Sequence, residues 1–166
     1  MRYNLEAFKK SEELQTSFHS EFQLPLEDAY RSVLRVQGPI VMTAELYRVE
    51  DEVVCYGKFS FSTMGHCTRC LDSMQIEFSS EFRAKIVAED FMDDSEEYCL
   101  LYQNGELAIE ELIQEVVRIE YPLQHICGLE CKGLCPRCGV NLNHESCQCE
   151  NEDIDPRLEK LKNLFK

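Results

Sequence analysis

No apolar run in these 166 residues approaches the ~18 that a membrane span needs. The opening MRYNLEAFKK has no apolar stretch of the export-signal kind, so the expected compartment is the cytoplasm. Bases are scarce, 17 against 31 acids, and the formal net charge of −14 works against holding a polyanion across the whole surface. Any nucleic-acid contact is expected to be local. HExxH, G-x-S-x-G and the GxxxxGK phosphate loop are all missing, which removes the usual zinc-peptidase, serine-hydrolase and nucleotide-binding signatures. A non-enzymatic role is expected.

Cysteine is what the chain has in quantity. Six of its ten cysteines fall in the 23 residues from Cys127 to Cys149, CGLECKGLCPRCGVNLNHESCQC. A thiolate is a soft, charged zinc donor, and a Cys-x-x-Cys followed by Gly allows a tight turn that aims two sulfurs at one ion. Cys135-Pro136-Arg137-Cys138-Gly139 is such a turn. A disulfide cluster is the competing reading and requires an oxidising compartment, so zinc is favoured. Four thiolates on Zn²⁺ make a centre of charge −2, which deepens the acidity.

The length fits one domain with a small appendage. Residues 1–32 mix apolar and charged positions without a period, and Leu24-Pro25-Leu26 interrupts a helix, so an edge strand or short helix is expected. From Leu34 to about Ala88 the pattern is that of a sheet. Ile40–Val49 and Val53–Met64 form a hairpin around Glu50-Asp51-Glu52. In the next arm Met74, Ile76, Phe78, Phe82, Ala84 and Ile86 share one face, against Ser73, Gln75, Glu77, Glu81, Arg83 and Lys85 on the other. A second Cys-x-x-Cys, Cys67 and Cys70, sits at the tip joining these two arms.

Residues 89–97, EDFMDDSEE, carry six acids and no base and read as a solvated loop or a docking site for a basic partner. Asn104-Gly105 marks a turn after the apolar Tyr98–Tyr102. From about Ala108 to Glu120, Ile109, Leu112, Ile113, Val116 and Val117 make one helical stripe that Tyr121-Pro122 ends. The tail DIDPRLEKLKNLFK reads as a short helix with Leu158, Leu161, Leu164 and Phe165 on one side. The expected fold is α+β: an antiparallel β-sheet with a packed helix and a small C-terminal zinc-binding appendage. The divisions are 1–126, a cysteine-rich segment at 127–150, and a helix at 151–166.

Eight cysteines form close pairs, and structural zinc takes four ligands, usually two from each of two segments. The simplest partition joins Cys67 and Cys70 to Cys127 and Cys131, and closes a second site from Cys135, Cys138, Cys147 and Cys149. The alternative is one zinc drawn from the six C-terminal thiols, with Cys67 and Cys70 free. An iron–sulfur cluster is a weaker candidate for such a donor set. Cys55 and Cys99 lie in apolar runs and read as core residues. His66, His125 and His144 flank the thiols as solvated or supporting groups, or as substitute ligands. The first site would pin residues about 60 apart, and the second would fold a segment without its own core. Zinc binding worth about 10–16 kcal/mol in finger peptides is enough for that.

CTRCL after a strand, an acidic helix ending in YPLQH, then CKGLCPRCGVNLNHESCQC and DPRLEKLKNL resemble the bacterial and plastid YceD-like large ribosomal RNA subunit accumulation proteins. The resemblance covers about residues 55–166. It implies a role in accumulation of large-subunit rRNA and no catalytic residue. Other branches keep the first Cys-x-x-Cys and lack the second cluster, which supports two sites.

The expected partner is a large-subunit ribosomal protein or a pre-ribosomal particle, met by the acidic body. Lys132, Arg137, Lys160 and Lys162 offer a small basic surface for RNA. A thiol–disulfide protein using Cys67 and Cys70 is the alternative function, although a redox Cys-x-x-Cys normally opens a helix. A zinc hydrolase would need an open coordination position, which all-thiolate sites lack.

Overall fold

The computed structural model describes residues 2–23, 34–50, 52–88 and 98–149. The Leu24-Pro25-Leu26 interruption, the acidic run 89–97 and the tail helix lie outside the described residues.

The elements in order are β1 (Arg2–Asn4), α1 (Glu6–Lys10), β2 (Gln15–Phe22), β3 (Arg35–Val49), β4 (Glu52–His66), β5 (Ser73–Ala88), β6 (Tyr98–Gln103), β7 (Glu106–Ala108) and α2 (Ile109–Glu120). The seven strands of the described residues belong to one sheet, ordered β1-β7-β6-β5-β4-β3-β2. The sheet is mixed rather than purely antiparallel, because β6 runs parallel to β5, with Ala84 opposite Tyr98 and Ala88 opposite Tyr102. Alternation reports which face of a strand is buried but carries no information on the direction of its neighbour, so this pairing was beyond the sequence pattern. The described residues are mostly sheet, with two short helices among them.

Strand β3 buries Ile40, Met42, Ala44 and Leu46, and β4 adds Cys55, Phe59 and Phe61. From β5 come Ile76, Phe78, Phe82 and Ala84, four of the six positions expected on that face. Phe59 packs near Phe61, Phe78 and Phe82, with ring centroids 6.0–6.4 Å apart. Gly57 leaves the space this needs: a Cβ there would lie 2.2 Å from the Phe82 ring.

Within the stretch that was ambiguous in sequence, residues 2–22 supply both edges of the sheet and the helix between them. The Tyr3 ring of β1 stacks on Phe18 of β2 at 4.1 Å, so the sheet curls until its outermost strands meet. Between them α1 places Phe8 in the core, beside the fully buried Leu5.

Helix α2 buries the five apolar residues read from its period, and they join the same core as Phe78, Phe82 and Leu100. At its C-terminal end Glu120 accepts hydrogen bonds from Ser80 Oγ of β5 and, at 3.1 Å, from the Tyr98 hydroxyl of β6. Tyr121 turns extended before Pro122, and the cysteine-rich chain leaves from a fixed point.

Two candidate metal centres

Strands β4 and β5 are joined by the six residues 67–72, and this connection is a sulfur-presenting turn. The Cys67 N–H donates to the Asp72 carbonyl (2.9 Å), and the Leu71 N–H donates back to the Cys67 carbonyl (2.9 Å). The loop Cys135–Val140 repeats the pattern: Cys135 N–H to Val140 O at 2.8 Å, Gly139 N–H to Cys135 O at 2.9 Å. In both, the residue after the second cysteine has positive φ, 64° at Leu71 and 75° at Gly139. The two turns share one backbone design. Only the second uses the residue that adopts such a φ without cost.

The eight paired cysteines gather into two groups, Cys67, Cys70, Cys127 and Cys131, and Cys135, Cys138, Cys147 and Cys149. Within each group the four Sγ atoms lie within 4.8 Å of one another. In the first, Cys67 Sγ is 3.8 Å from Cys131 Sγ and Cys70 Sγ is 3.6 Å from Cys127 Sγ. Four sulfurs at the ~2.3 Å zinc–thiolate distance of a tetrahedral site lie about 3.8 Å apart, so the donor set matches that ion in type, number and spacing. These separations are far beyond the ~2.05 Å of a disulfide. All ten cysteines are free thiols, against the disulfide reading. A single site drawn from the six C-terminal thiols is not the grouping the chain adopts.

Ionisation within each group is divided. Burial opposes the Cys67 thiolate, but backbone N–H groups at Cys127, Cys70 and Arg69 overcome it and bring the thiol to about 6. The Asp72 N–H favours the Cys70 thiolate, yet burial and the three neighbouring sulfurs outweigh it and raise Cys70. In the second group the N–H groups of Cys138 and Arg137 lower Cys135 to about 6, while the Cys138 sulfur, burial and Cys135 push Cys149 up to about 12. Four adjacent thiols cannot all ionise unaided, and a divalent cation is what would let them.

The histidines beside the thiols belong to neither group among the described residues. The His66 ring faces the Leu71 carbonyl at 3.1 Å. The His125 ring packs against Tyr121, tilted by 54°, and its carbonyl accepts from the Thr68 N–H at 2.8 Å. His144 Nε2 lies 2.9 Å from Asp72 Oδ2, and Asn141 Nδ2 donates to Asp72 Oδ1 at 2.9 Å. Burial works against the charge of Asp72, but hydrogen bonds from His144, Asn141 and Cys70 hold its carboxyl below the usual range. Sequence reading left Asp72, Asn141 and Asn143 unmarked. The string Asn-Leu-Asn-His was the available signal, and short polar residues in a loop are too common to have stood out.

The family model of the large ribosomal RNA subunit accumulation protein YceD matches residues 55–165, two-thirds of the chain and all eight clustered thiols. The chain belongs to the YceD family. An uncharacterised protein of Mycobacterium tuberculosis is 29% identical over 154 residues, covering 90% of this chain and 72% of that protein. The chloroplastic YceD homolog 1 of Arabidopsis thaliana, a large ribosomal RNA subunit accumulation protein by name, is 39% identical over 59 residues, 36% of this chain and 18% of its own. Its counterpart in Zea mays is 39% identical over 62 residues, 37% of this chain and 21% of that protein. No solved structure matches.

Within the YceD region Cys55 sits in the core, where burial pushes its thiol up to about 12, and Cys99 is half-buried. Lys132 and Arg137 are exposed in the second centre's loop. Lys160 and Lys162 lie outside the described residues. Cys67 and Cys70 close a strand-to-strand connection rather than open a helix, so no helix N-terminus activates them. Among the described residues no helix is long and apolar enough to cross a membrane.

Proposed function

We propose that this chain is a non-enzymatic cytoplasmic factor of large ribosomal subunit biogenesis that supports accumulation of large-subunit rRNA through two structural zinc centres. The observation that carries the reading is the YceD match over residues 55–165, which takes in both four-sulfur groups. Cys67, Cys70, Cys127 and Cys131 hold one zinc, and Cys135, Cys138, Cys147 and Cys149 hold the other. The metal supplies cross-linking: with four thiolates no coordination position is left for substrate or water.

The first centre fixes the chain after α2 to the tip of the β4–β5 hairpin, and the second organises a segment that has no core of its own. Together they present a rigid end to a partner. With a net charge of −14 the partner is basic, a large-subunit ribosomal protein or the assembling particle that carries it. Contact with rRNA is confined to a few phosphates near Lys132, Arg137, Lys160 and Lys162.

Sedimentation of the tagged protein on sucrose gradients at low and moderate salt tests this. Co-migration with immature large-subunit particles is the expected result. A protein that stays at the top of the gradient at both salts, in cells whose large-subunit rRNA is unaffected by its deletion, overturns the reading.

A further inference from the structure

The two sulfur groups are joined. The loop that carries the second group lies against the turn that carries the first, and a set of hydrogen bonds ties the two together. The Leu134 N–H, next to Cys135, donates to the Arg69 carbonyl at 3.0 Å. Asn141 Nδ2 reaches the Cys70 carbonyl at 3.2 Å as well as Asp72 Oδ1 at 2.9 Å, and His144 Nε2 meets Asp72 Oδ2 at 2.9 Å. Asn143 Nδ2 points at Cys131 Sγ, a sulfur of the first group, at 3.5 Å. The approach is close: a Cβ on Gly133 would stand 3.1 Å from the Arg69 carbonyl.

These contacts share one property. Arg69, Cys70 and Asp72 belong to the turn whose shape the first group sets, and Leu134, Asn141 and His144 belong to the loop whose shape the second group sets. Neither side has much apolar packing of its own: the buried cluster of the first is its own sulfurs with Met74 against them, Leu71 is exposed beside it, and Cys138 is exposed on the other. The docking surface of each loop therefore exists only when its own sulfurs are drawn together.

We propose that the two centres bind metal as one coupled unit, with Asp72 as the joint and Asn141 and His144 as the positioning residues that engage it. The proposal rests on the zinc reading above. None of the three touches metal. Filling the first centre fixes the Asp72 carboxylate where Asn141 and His144 can meet it, and filling the second holds those two in place. The coupling is reciprocal, so each ion tightens the other by the same factor. Hydrogen-bonding partners that support metal ligands change affinity by about 10–100-fold when removed, and that is the size expected here.

The test is chelator competition on the full zinc-loaded chain, following free zinc and thiol reactivity together. Wild-type protein is expected to hold two equivalents and release them in one concerted step. Cys138→Ser/Cys149→Ser, which removes the second centre, should weaken zinc at the first by about tenfold or more. Asn141→Ala/His144→Ala keeps all eight thiols, and should split the release into two steps at lower chelator concentrations. A merely stabilising role for these residues would lower the unfolding midpoint and leave the release concerted. First-centre affinity within twofold of wild type in the cysteine variant, with wild-type release in the alanine variant, overturns the coupling while the zinc reading stands. Wild-type protein that takes up no zinc overturns both. If the cysteine variant does not fold, the alanine variant decides alone.

Discussion

In the first centre Cys67, Cys70 and Cys131 are 0, 2 and 6% exposed, and two long strands deliver the turn that carries the first two. In the second only Cys135, at 3%, is buried, and its loop has just the isolated bridge between Leu134 and Asn141 for regular structure. The same backbone turn thus serves in two settings. The first is carried between two strands of the sheet, and joins cysteines 57 and 64 residues apart. The second has little besides its sulfurs and the first centre to hold it. A metal that ties distant segments constrains the unfolded chain more than one closing a short loop, so the two ions should differ in what they stabilise.

Substituting Cys70 gives the sharpest break in that comparison. Cys70→Ser should cost more than about 4 kcal/mol of unfolding free energy in urea titrations, the range in which loss of a metal falls, and should weaken zinc at the second centre by the same factor of about 10–100. Phe59→Ala comes next: a large cavity among the core phenylalanines should cost about 3–5 kcal/mol, with zinc content still two per chain. A fall in zinc content there would mean that the sheet and the centres are not separable. Cys138→Ser should open residues 132–149 to protease, while the main transition falls only by the ~1.4 kcal/mol that a tenfold coupling represents. Equal digestion patterns for the Cys70 and Cys138 variants would erase the distinction between the centres. The smallest effect concerns the turns themselves. Gly139→Ala should cost about 1 kcal/mol, because φ is 75° there, whereas Leu71→Gly should be neutral or stabilising by up to about 1 kcal/mol. Matching losses at both positions would show that the Leu71 side chain, although exposed, contributes to binding or packing.

Much of the sheet was legible because its signal is periodic. Ile76, Phe78, Phe82 and Ala84 announce a half-buried strand, and the stripe from Ile109 to Val117 announces a helix. The thiol pairs were legible for a different reason: ligand spacing within a turn is a local constraint, and so is the preference for four donors. The parallel β5–β6 pairing was not, since no local pattern encodes the direction of a neighbour. Nor was the role of residues 2–22, whose period is broken because each short element meets a different part of the molecule. Tyr3 faces Phe18, Leu5 and Phe8 face the core, and Glu6 accepts from the Tyr102 hydroxyl. Asp72 escaped for a similar reason, its partners being 69 and 72 residues away.

The closing of the sheet also sets an order of events during synthesis. Arg2 pairs with Ala108 and Asn4 with Glu106, so β1 waits for β7, made about a hundred residues later, before it can pair. At translation rates of about 5–20 residues per second that wait is roughly 5–20 s. Until then β1 has no partner on that side of the sheet. The closure of the sheet thus depends on one late pairing: a change that blocks Arg2–Asn4 from β7 would leave that edge open and the two ends of the sheet unjoined.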